Sequence, residues 1–456
     1  MKIFVIKNNI SIGTLAEDKK GNITFDYAES ITSSQYLIGL KDKTNKSQTL
    51  FPVFENLLPE NEQLNNIRYK HNIKRTIDLL LYLDNIHGSL EFYSENDFKN
   101  IQHKTTETFV FTEVKSEILQ SDYVFPNILN DYHLNIPNDK LYPAGLSGSK
   151  LIGLSGFQYK FSIHKNDTLN EITFDSEVNS EVNSEYIMKP YNIHYSKHTP
   201  NIKESAYIPY LLINEHIFMT LARDFGFDVP YNAIIKHNDD YHYIIKRYDR
   251  FNGLKIDHHE ILTLINKPSS EKYKVSCKEA VSAVSEYLNE EEMLQLFRFI
   301  VFSIVISHGD LHAKNISLIR LSNSIDEKSM TLAPHYDIST IGIYKDIDDN
   351  DIGMMVKNKK KNITIDDLLW LSESMGIGSD MAMDEIDRIA SKFISEFKNY
   401  ITLLPQEIRV LPIYKGRYKQ FDTLEIVFTK FYDKRCGYIK KYLLKNVAKV
   451  DDNLWE

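Results

Sequence analysis

The sequence predicts an α+β protein with a β-rich beginning and a mainly helical end. Three observations predict it. Short alternating apolar runs separated by Asn and Gly crowd the first part. From about residue 255, apolar residues recur at helical spacing, as in "EEMLQLFRFIVFSIVIS". A length of 456 residues exceeds what one ordinary core fills and calls for two or three packed units. With 42% hydrophobic and 26% charged residues the composition is globular, which excludes a disordered or fibrous chain.

Residues 1–135 form the first expected unit. It has strands at "KIFVIKN", "SIGTLAED" and "NITFDYAE", helical spacing in "LFPVFENLLPENEQLNNIRYK" and "TIDLLLYL", and a closing "HGSLEFYSE". The opening residues read as a strand and hairpin rather than a signal peptide. The second unit, 136–252, carries Gly145, Gly148, Gly153 and Gly156 within twelve positions. A tandem duplication follows, Ser176 to Asn179 and Ser180 to Asn183, which reads as a polar hairpin insertion. Then come a strand at "YIMKPY", a helix at "AYIPYLLINEHIFMTLARDFGF" that stops at a glycine, and two strands in "YNAIIKHNDDYHYIIKRYDRF". The third unit, 253–456, alternates amphipathic helices with loops and ends in "TLEIVFTKFYDKRCGYIKKYLLK".

A net charge of −9 without a long basic stripe argues against gripping nucleic acid through phosphates alone. One short basic run, "KNKKK" from Lys357 to Lys361, admits two readings, a solvated loop or a substrate or phosphate contact. Cys277 and Cys436 stand far apart, so no disulfide framework or thiolate zinc site is expected. No window approaches the ~18 uninterrupted apolar residues of a membrane span. The expected compartment is the cytoplasm, with no membrane partner.

The chemistry is concentrated in "SHGDLHAKNISLI", residues 307–319. Asp310 and Asn315 have the Asp-x-x-x-x-Asn spacing of a kinase catalytic loop, with Asp to orient and deprotonate a hydroxyl and Asn to ligate metal. Asp337, 22 residues beyond Asn315, sits where a second metal-binding carboxylate belongs. Lys189 lies in an apolar run, where a lysine needs a partner. Glu215, on an otherwise apolar helix, is the expected partner, with Asp224 as competitor. "GLSGFQYK", Gly153 to Lys160, offers backbone N–H groups and a lysine to phosphates. Against the catalytic reading, His308 or His312 alone more often orients than catalyses, and both imidazoles with Asp310 form an alternative metal set. A glycine-rich hairpin, a strand lysine, a helix and more strands before a helical half give the outline of a two-lobed protein-kinase-like fold, here with an additional small N-terminal β-rich subdomain.

Seven motifs in order resemble the HipA-type serine/threonine kinases, toxins of bacterial toxin–antitoxin pairs. They are "VFENLLPEN", "LSGFQYK", "YIMKP", "NEHIFMTLARDFGFDVP", "IIKRYDR", "SHGDLHAKNISLI" and "APHYDIST". The resemblance implies ATP- and Mg2+-dependent phosphorylation of a protein serine or threonine, in known cases an aminoacyl-tRNA synthetase, notably the glutamyl enzyme. It implies Asp310 as catalytic base and Asn315 and Asp337 as magnesium ligands. Lys189 becomes the phosphate lysine. Ser155, Gly156, Phe157, Gln158, Tyr159 and Lys160 become the nucleotide loop. Lys246, Arg247 and Tyr248 fall on the adenine linker, and His312, Ala313, Lys314 and Tyr336 on the nucleotide side of the cleft. The implied partner is a small helix-turn-helix antitoxin, HipB-like, through which operator DNA is reached indirectly. Inhibitory autophosphorylation in the family falls on a serine in or before the glycine loop. Here Gly153 is one aligned position, so Ser155 or Ser149 takes that role or the switch is absent. Lys246 stands where some members have an acidic residue.

Two rival readings stay open at this level. A small-molecule phosphotransferase of the aminoglycoside or choline kinase type shares "HGDLHAKN" but lacks the "FENLLPEN" unit and the "SGFQYK" loop. A non-catalytic antitoxin-binding pseudokinase is opposed by the joint presence of Asp310, Asn315, Asp337 and Lys189.

Overall fold

The computed structural model describes residues 2–83, 86–101, 108–134, 160–174, 184–190, 210–237, 240–324, 329–345, 347–415 and 420–444. The four glycines of the glycine-rich segment, Ser149, Ser155 to Tyr159 and the duplication at 176–183 lie outside these residues.

The N-terminal runs form an antiparallel sheet of β1 (Lys2–Lys7), β2 (Ile10–Glu17), β3 (Ile23–Tyr27), β4 (Thr44–Ser47) and β5 (Leu90–Ser94), in the order β4-β3-β2-β1-β5. Asn8 and Asn9 make the β1–β2 turn at φ 48 and 64, a left-handed conformation that asparagine tolerates. Helices α1 (Pro52–Glu55) and α2 (Asn61–Lys70) follow β4. "TIDLLLYL" differs from its helical reading: Ile77–Tyr82 winds as a 3-10 helix. A run this short gains few α-helical bonds, and burial of Ile77, Leu79 and Leu80 decides its shape.

The second sheet contains β6 (His133–Leu134), β7 (Phe161–Asn166), β8 (Glu171–Phe174), β9 (Tyr186–Lys189), β10 (Asn232–His237) and β11 (Asp240–Lys246). Its order is β10-β11-β9-β7-β8-β6, antiparallel except where β6 runs parallel to β8. The two sheets share one core: Ile3, Phe25 and Phe54 from the N-terminal unit belong to the same buried cluster as Phe161, Phe174 and Ile244 from the second. Each such side chain contributes about 1.5–3 kcal/mol by leaving water. Helix α3 (Leu211–Asp224) packs on β10 and β11.

The helical lobe is built from α4 (Cys277–Val284), α5 (Glu290–Val305), α6 (Ile365–Ser374), α7 (Ser379–Leu403) and α8 (Leu424–Tyr442). Asn289 and Glu292 start α5 with a reciprocal capping box. Phe297, Phe299 and Phe302 make α5 the axis of the lobe, since all three are fully buried. Strands β12 (Arg250–Phe251) and β13 (Leu254–Lys255) pair with each other, while β14 (His258–Glu260), β15 (Ser317–Arg320) and β16 (Met330–Leu332) form a small sheet. The fold is α+β and protein-kinase-like, two lobes with a small β-rich N-terminal subdomain. Among the described residues, no helix is long and apolar enough to cross a membrane.

Candidate active site

The polar loop is held by what flanks it. Helix α5 stops at Val305, and Ser307 turns the chain at φ 57. Leu311 and Ile316 then anchor the loop in the core before β15 begins. Gly309 has no room for a side chain, because a Cβ there would meet Ile341 Cδ1 at 2.0 Å. His308 is an orienting residue: it is buried, with Nε2 3.1 Å from the backbone oxygen of Asp337. Burial pushes its pKa down to about 4. Among the described residues, the two imidazoles and Asp310 do not bring their ligand atoms together as a metal set; His312 instead stands edge-on to Tyr273, with ring centroids 4.9 Å apart.

The cleft between the lobes has a volume of about 190 Å3 and brings together Lys160, Lys189, Asp310, Asn315, Tyr336 and Asp337. Strand β9 places Lys189 with Nζ 2.7 Å from Oε1 of Glu215 on α3, and it also contacts Asp337 Oδ1. Glu215 is thus the partner, while Asp224 at the end of α3 accepts from Tyr400 instead. Lys160 Nζ lies 3.9 Å from Asp337 Oδ2. Against the cost of burial, these two lysines hold the Asp337 carboxyl far below the usual range. Burial pushes Glu215 up to about 7. Asp337 itself adopts φ 55, a left-handed conformation. The segment after it is tied to α3 by Asn214, whose Nδ2 donates to Thr340 O at 2.7 Å and whose Oδ1 accepts from Thr340 N at 3.1 Å.

Asn315 Oδ1 accepts from the His312 backbone N–H at 3.1 Å, and Tyr336 donates to the Lys314 carbonyl at 2.6 Å. Lys314 donates to the Asn56 carbonyl at 3.1 Å, to Ser269 at 3.2 Å and to Glu60 at 3.3 Å. Glu60 also meets Lys272 at 2.5 Å, and the two lysines hold its carboxyl down to about 2 against the cost of burial. The N-terminal subdomain therefore reaches the polar loop that carries Asp310. Ala313 turns into the core between His312 and Lys314, which both line the cleft.

Lys246, Arg247 and Tyr248 also line the cleft, but the first two have their side chains occupied elsewhere. Lys246 donates to the Glu117 carbonyl at 3.1 Å and lies 3.6 Å from Glu185. Arg247 forms a fork onto Asp249 at 2.8 Å and reaches the Ile86 carbonyl at 2.9 Å. Arg250 takes the Gly88 carbonyl at 3.0 Å, and the Gly88 N–H donates to Asp249 at 2.9 Å. The Arg-Tyr-Asp-Arg run thus clamps the loop before β5 onto the second sheet.

A second cavity of about 1350 Å3 opens beside the cleft, between the N-terminal subdomain and the helical lobe. The two share Glu60, Leu211, Lys272, Tyr273, Asp310 and Ser339. Asp310 stands at their junction. Desolvation by the surrounding protein raises its carboxyl above the ordinary range, although the side chain is exposed to the cavity and the Tyr273 hydroxyl donates to it. Tyr273 carries no local sequence signal for its place here, whereas Glu60 lies in "VFENLLPEN". In the basic run, Lys359 pairs with Asp367 at 2.9 Å and Lys361 with Asp349 at 3.1 Å, as a solvated loop would, whereas Lys360 lines the large cavity.

Comparison with known proteins agrees with this architecture. The HipA N-terminal domain profile matches residues 3–92 and the HipA-like C-terminal domain profile matches residues 152–398. A provisionally named kinase of Haemophilus influenzae is 28% identical over 212 residues, 43% of this chain and 54% of that protein. A provisionally named kinase, Y4dM, of Sinorhizobium fredii is 25% identical over 265 residues, 54% of this chain and 60% of that protein. The chain thus spans little more than half the length of these curated relatives. Among solved structures, the toxin–antitoxin complex of HipA, HipB and operator DNA from Shewanella oneidensis MR-1 shares the fold, with a TM-score of 0.63, 17% identity and 97% coverage of each chain. The chain belongs to the HipA family and carries both the N-terminal and the C-terminal domain of that family.

Proposed function

We propose that this protein is an ATP-dependent serine/threonine-protein kinase that acts as the toxin of a toxin–antitoxin pair. The observation that carries the reading is the meeting of Asp310, Asn315, Asp337 and Lys189 in one cleft. Asp310 accepts the proton of the attacking hydroxyl, and its raised pKa suits a proton acceptor. Lys189, fixed by Glu215, and Lys160 supply positive charge where phosphates gather. The donor set fits magnesium: the Asp337 carboxylate and the Asn315 amide are oxygen ligands of the kind that ion prefers. Bound magnesium neutralises phosphate charge as the phosphoryl group leaves. Asp337, which faces Lys160 and Lys189, would hold the metal together with Asn315, and the two lysines would meet the phosphates.

The cavity of about 1350 Å3 at Asp310 favours a polypeptide acceptor over a small molecule. The proposed substrate is a translation protein, with glutamyl-tRNA synthetase as the first candidate. The proposed partner is a HipB-like helix-turn-helix antitoxin, through which the toxin meets operator DNA, by analogy with the Shewanella complex that joins HipA, HipB and operator DNA. Ser155 is the proposed site of inhibitory autophosphorylation, since a phosphate there adds roughly −1.5 to −2 charges where ATP phosphates bind.

The test is to incubate wild-type protein and Asp310→Asn with γ-labelled ATP, magnesium and cell extract, then identify labelled proteins. Label on serine or threonine of one acceptor with wild type only is the expected result. Loss of the base and its orientation costs on the order of 10² to 10⁴ in rate. Equal labelling by Asp310→Asn overturns the assignment.

A further inference from the structure

The chemistry proposed above makes no use of Tyr273, yet the Tyr273 hydroxyl donates to Asp310 Oδ1. An acceptor hydroxyl makes this same bond to a catalytic carboxylate before it attacks phosphorus. Tyr273 comes from the loop between the 3-10 turn Ser269–Glu271 and α4, and at 42% exposed it is not packed as a core residue. Its placement has few supports. The His312 ring meets it edge-on, and Lys272 Nζ stands 5.2 Å from its ring centroid. Lys360, the member of the basic run that turns inward, donates to the Tyr273 carbonyl at 3.3 Å. Tyr273 lines both the cleft and the large cavity, so it stands where the two join.

We propose that Tyr273 is a pseudo-acceptor: its phenol occupies the acceptor position on Asp310 until a substrate hydroxyl entering from the large cavity displaces it. The proposal rests on Asp310 being the catalytic carboxylate. Two consequences follow from the geometry. Water is kept from the same oxygen, so ATP is not wasted while no substrate is bound. A substrate must also fill the large cavity well enough to move a loop that Lys360 and Lys272 steady, which makes Tyr273 a positioning residue that sets specificity.

The experiment uses full-length wild type, Tyr273→Phe and Asp310→Asn, with magnesium-dependent ATP hydrolysis measured in the absence of any protein substrate. Phenylalanine keeps the ring and its contacts and removes only the hydroxyl. The hydrolytic kcat of Tyr273→Phe should rise roughly tenfold, the factor a hydrogen bond to a charged group is worth. The KM for ATP should not change, whereas a merely structural role would move both. A second readout needs no nucleotide. Tetranitromethane nitrates phenolate, and burial together with the facing Asp310 carboxylate holds the phenol protonated, so nitration of Tyr273 should be faster in Asp310→Ala than in wild type. Unchanged hydrolysis in Tyr273→Phe alongside loss in Asp310→Asn overturns the pseudo-acceptor and leaves the kinase reading standing. Equal nitration rates, or phosphate found on Tyr273 after incubation with ATP, also overturn it. Wild-type hydrolysis in Asp310→Asn overturns both readings.

Discussion

Lys189 and Glu215 meet across the cleft with Nζ 2.7 and 2.8 Å from the two carboxylate oxygens, and both side chains are almost wholly buried. A buried ammonium with this partner is stable as a pair and costly as a single charge. Glu215→Ala is expected to destabilise the fold by less than the ~3–5 kcal/mol of an isolated buried pair, because Asp337 still faces Lys189. The double variant Lys189→Met, Glu215→Leu should recover part of that loss. Denaturant unfolding of the single and double variants checks both, and equal losses would show that the pair is not coupled.

Asp337 combines a metal-ligand chemistry with a left-handed backbone at φ 55. Asparagine tolerates that conformation and alanine does not, so Asp337→Asn isolates the charge. The expected outcome is loss of magnesium-dependent nucleotide affinity, with a lower melting temperature because Lys189 and Lys160 lose a facing carboxylate. Nucleotide titration with and without magnesium measures it. Asp337→Ala should lose the same affinity and melt earlier still, because strain of about 1–3 kcal/mol is added.

Asp249 compensates two buried guanidiniums, Arg247 at 2.8 Å and Arg250 at 3.1 Å. Asp249→Ala leaves both uncompensated, and the expected cost is about 3–5 kcal/mol of unfolding free energy. The clamp on residues 86–88 should open at the same time. Protease cleavage before β5 should therefore quicken in the variant under conditions where the wild type stays intact.

His216 supplies a pH dependence with a definite sign. Its Nε2 accepts from the Asn127 N–H at 3.1 Å and its Nδ1 lies 2.7 Å from Asn232 Oδ1, a pattern that only the neutral ring satisfies. Burial pushes its pKa down to about 4. The unfolded chain takes up a proton below about pH 6.5 while the folded chain does not, so this stabilisation is complete above pH 6.5 and is lost as the pH falls toward 4. At pH 5 the expected loss from this group is about 2 kcal/mol relative to pH 7.5. Unfolding of His216→Gln at both pH values should show a correspondingly shallower dependence.

Much of the site is legible in the sequence because local patterns expose it. A lysine in an apolar strand and a glutamate on an apolar helix each ask for a partner, and in the fold they meet. Asp310, Asn315 and Asp337 are legible through spacing and through the apolar flanks that hold their loops. Tyr273 is not, since it joins the site from a loop without periodicity; Glu60 lies in "VFENLLPEN", but its meeting with Lys314 across 254 residues is not written there. Arg247 reads as a nucleotide neighbour because its motif lies on the linker. The partners that turn Arg247 and Arg250 into a clamp, Ile86 and Gly88, are more than 160 residues away.

The contact between Glu60 and Lys314 spans 254 residues of sequence. Translation at ~5–20 residues per second makes Glu60 wait about 13–50 s before its partner is even polymerised. The first sheet can fold in that interval, but the loop that holds Asp310 cannot be finished until nearly seven-tenths of the chain exists. An abandoned nascent chain therefore carries no assembled candidate site, and the ribosome's progress sets when that site can form.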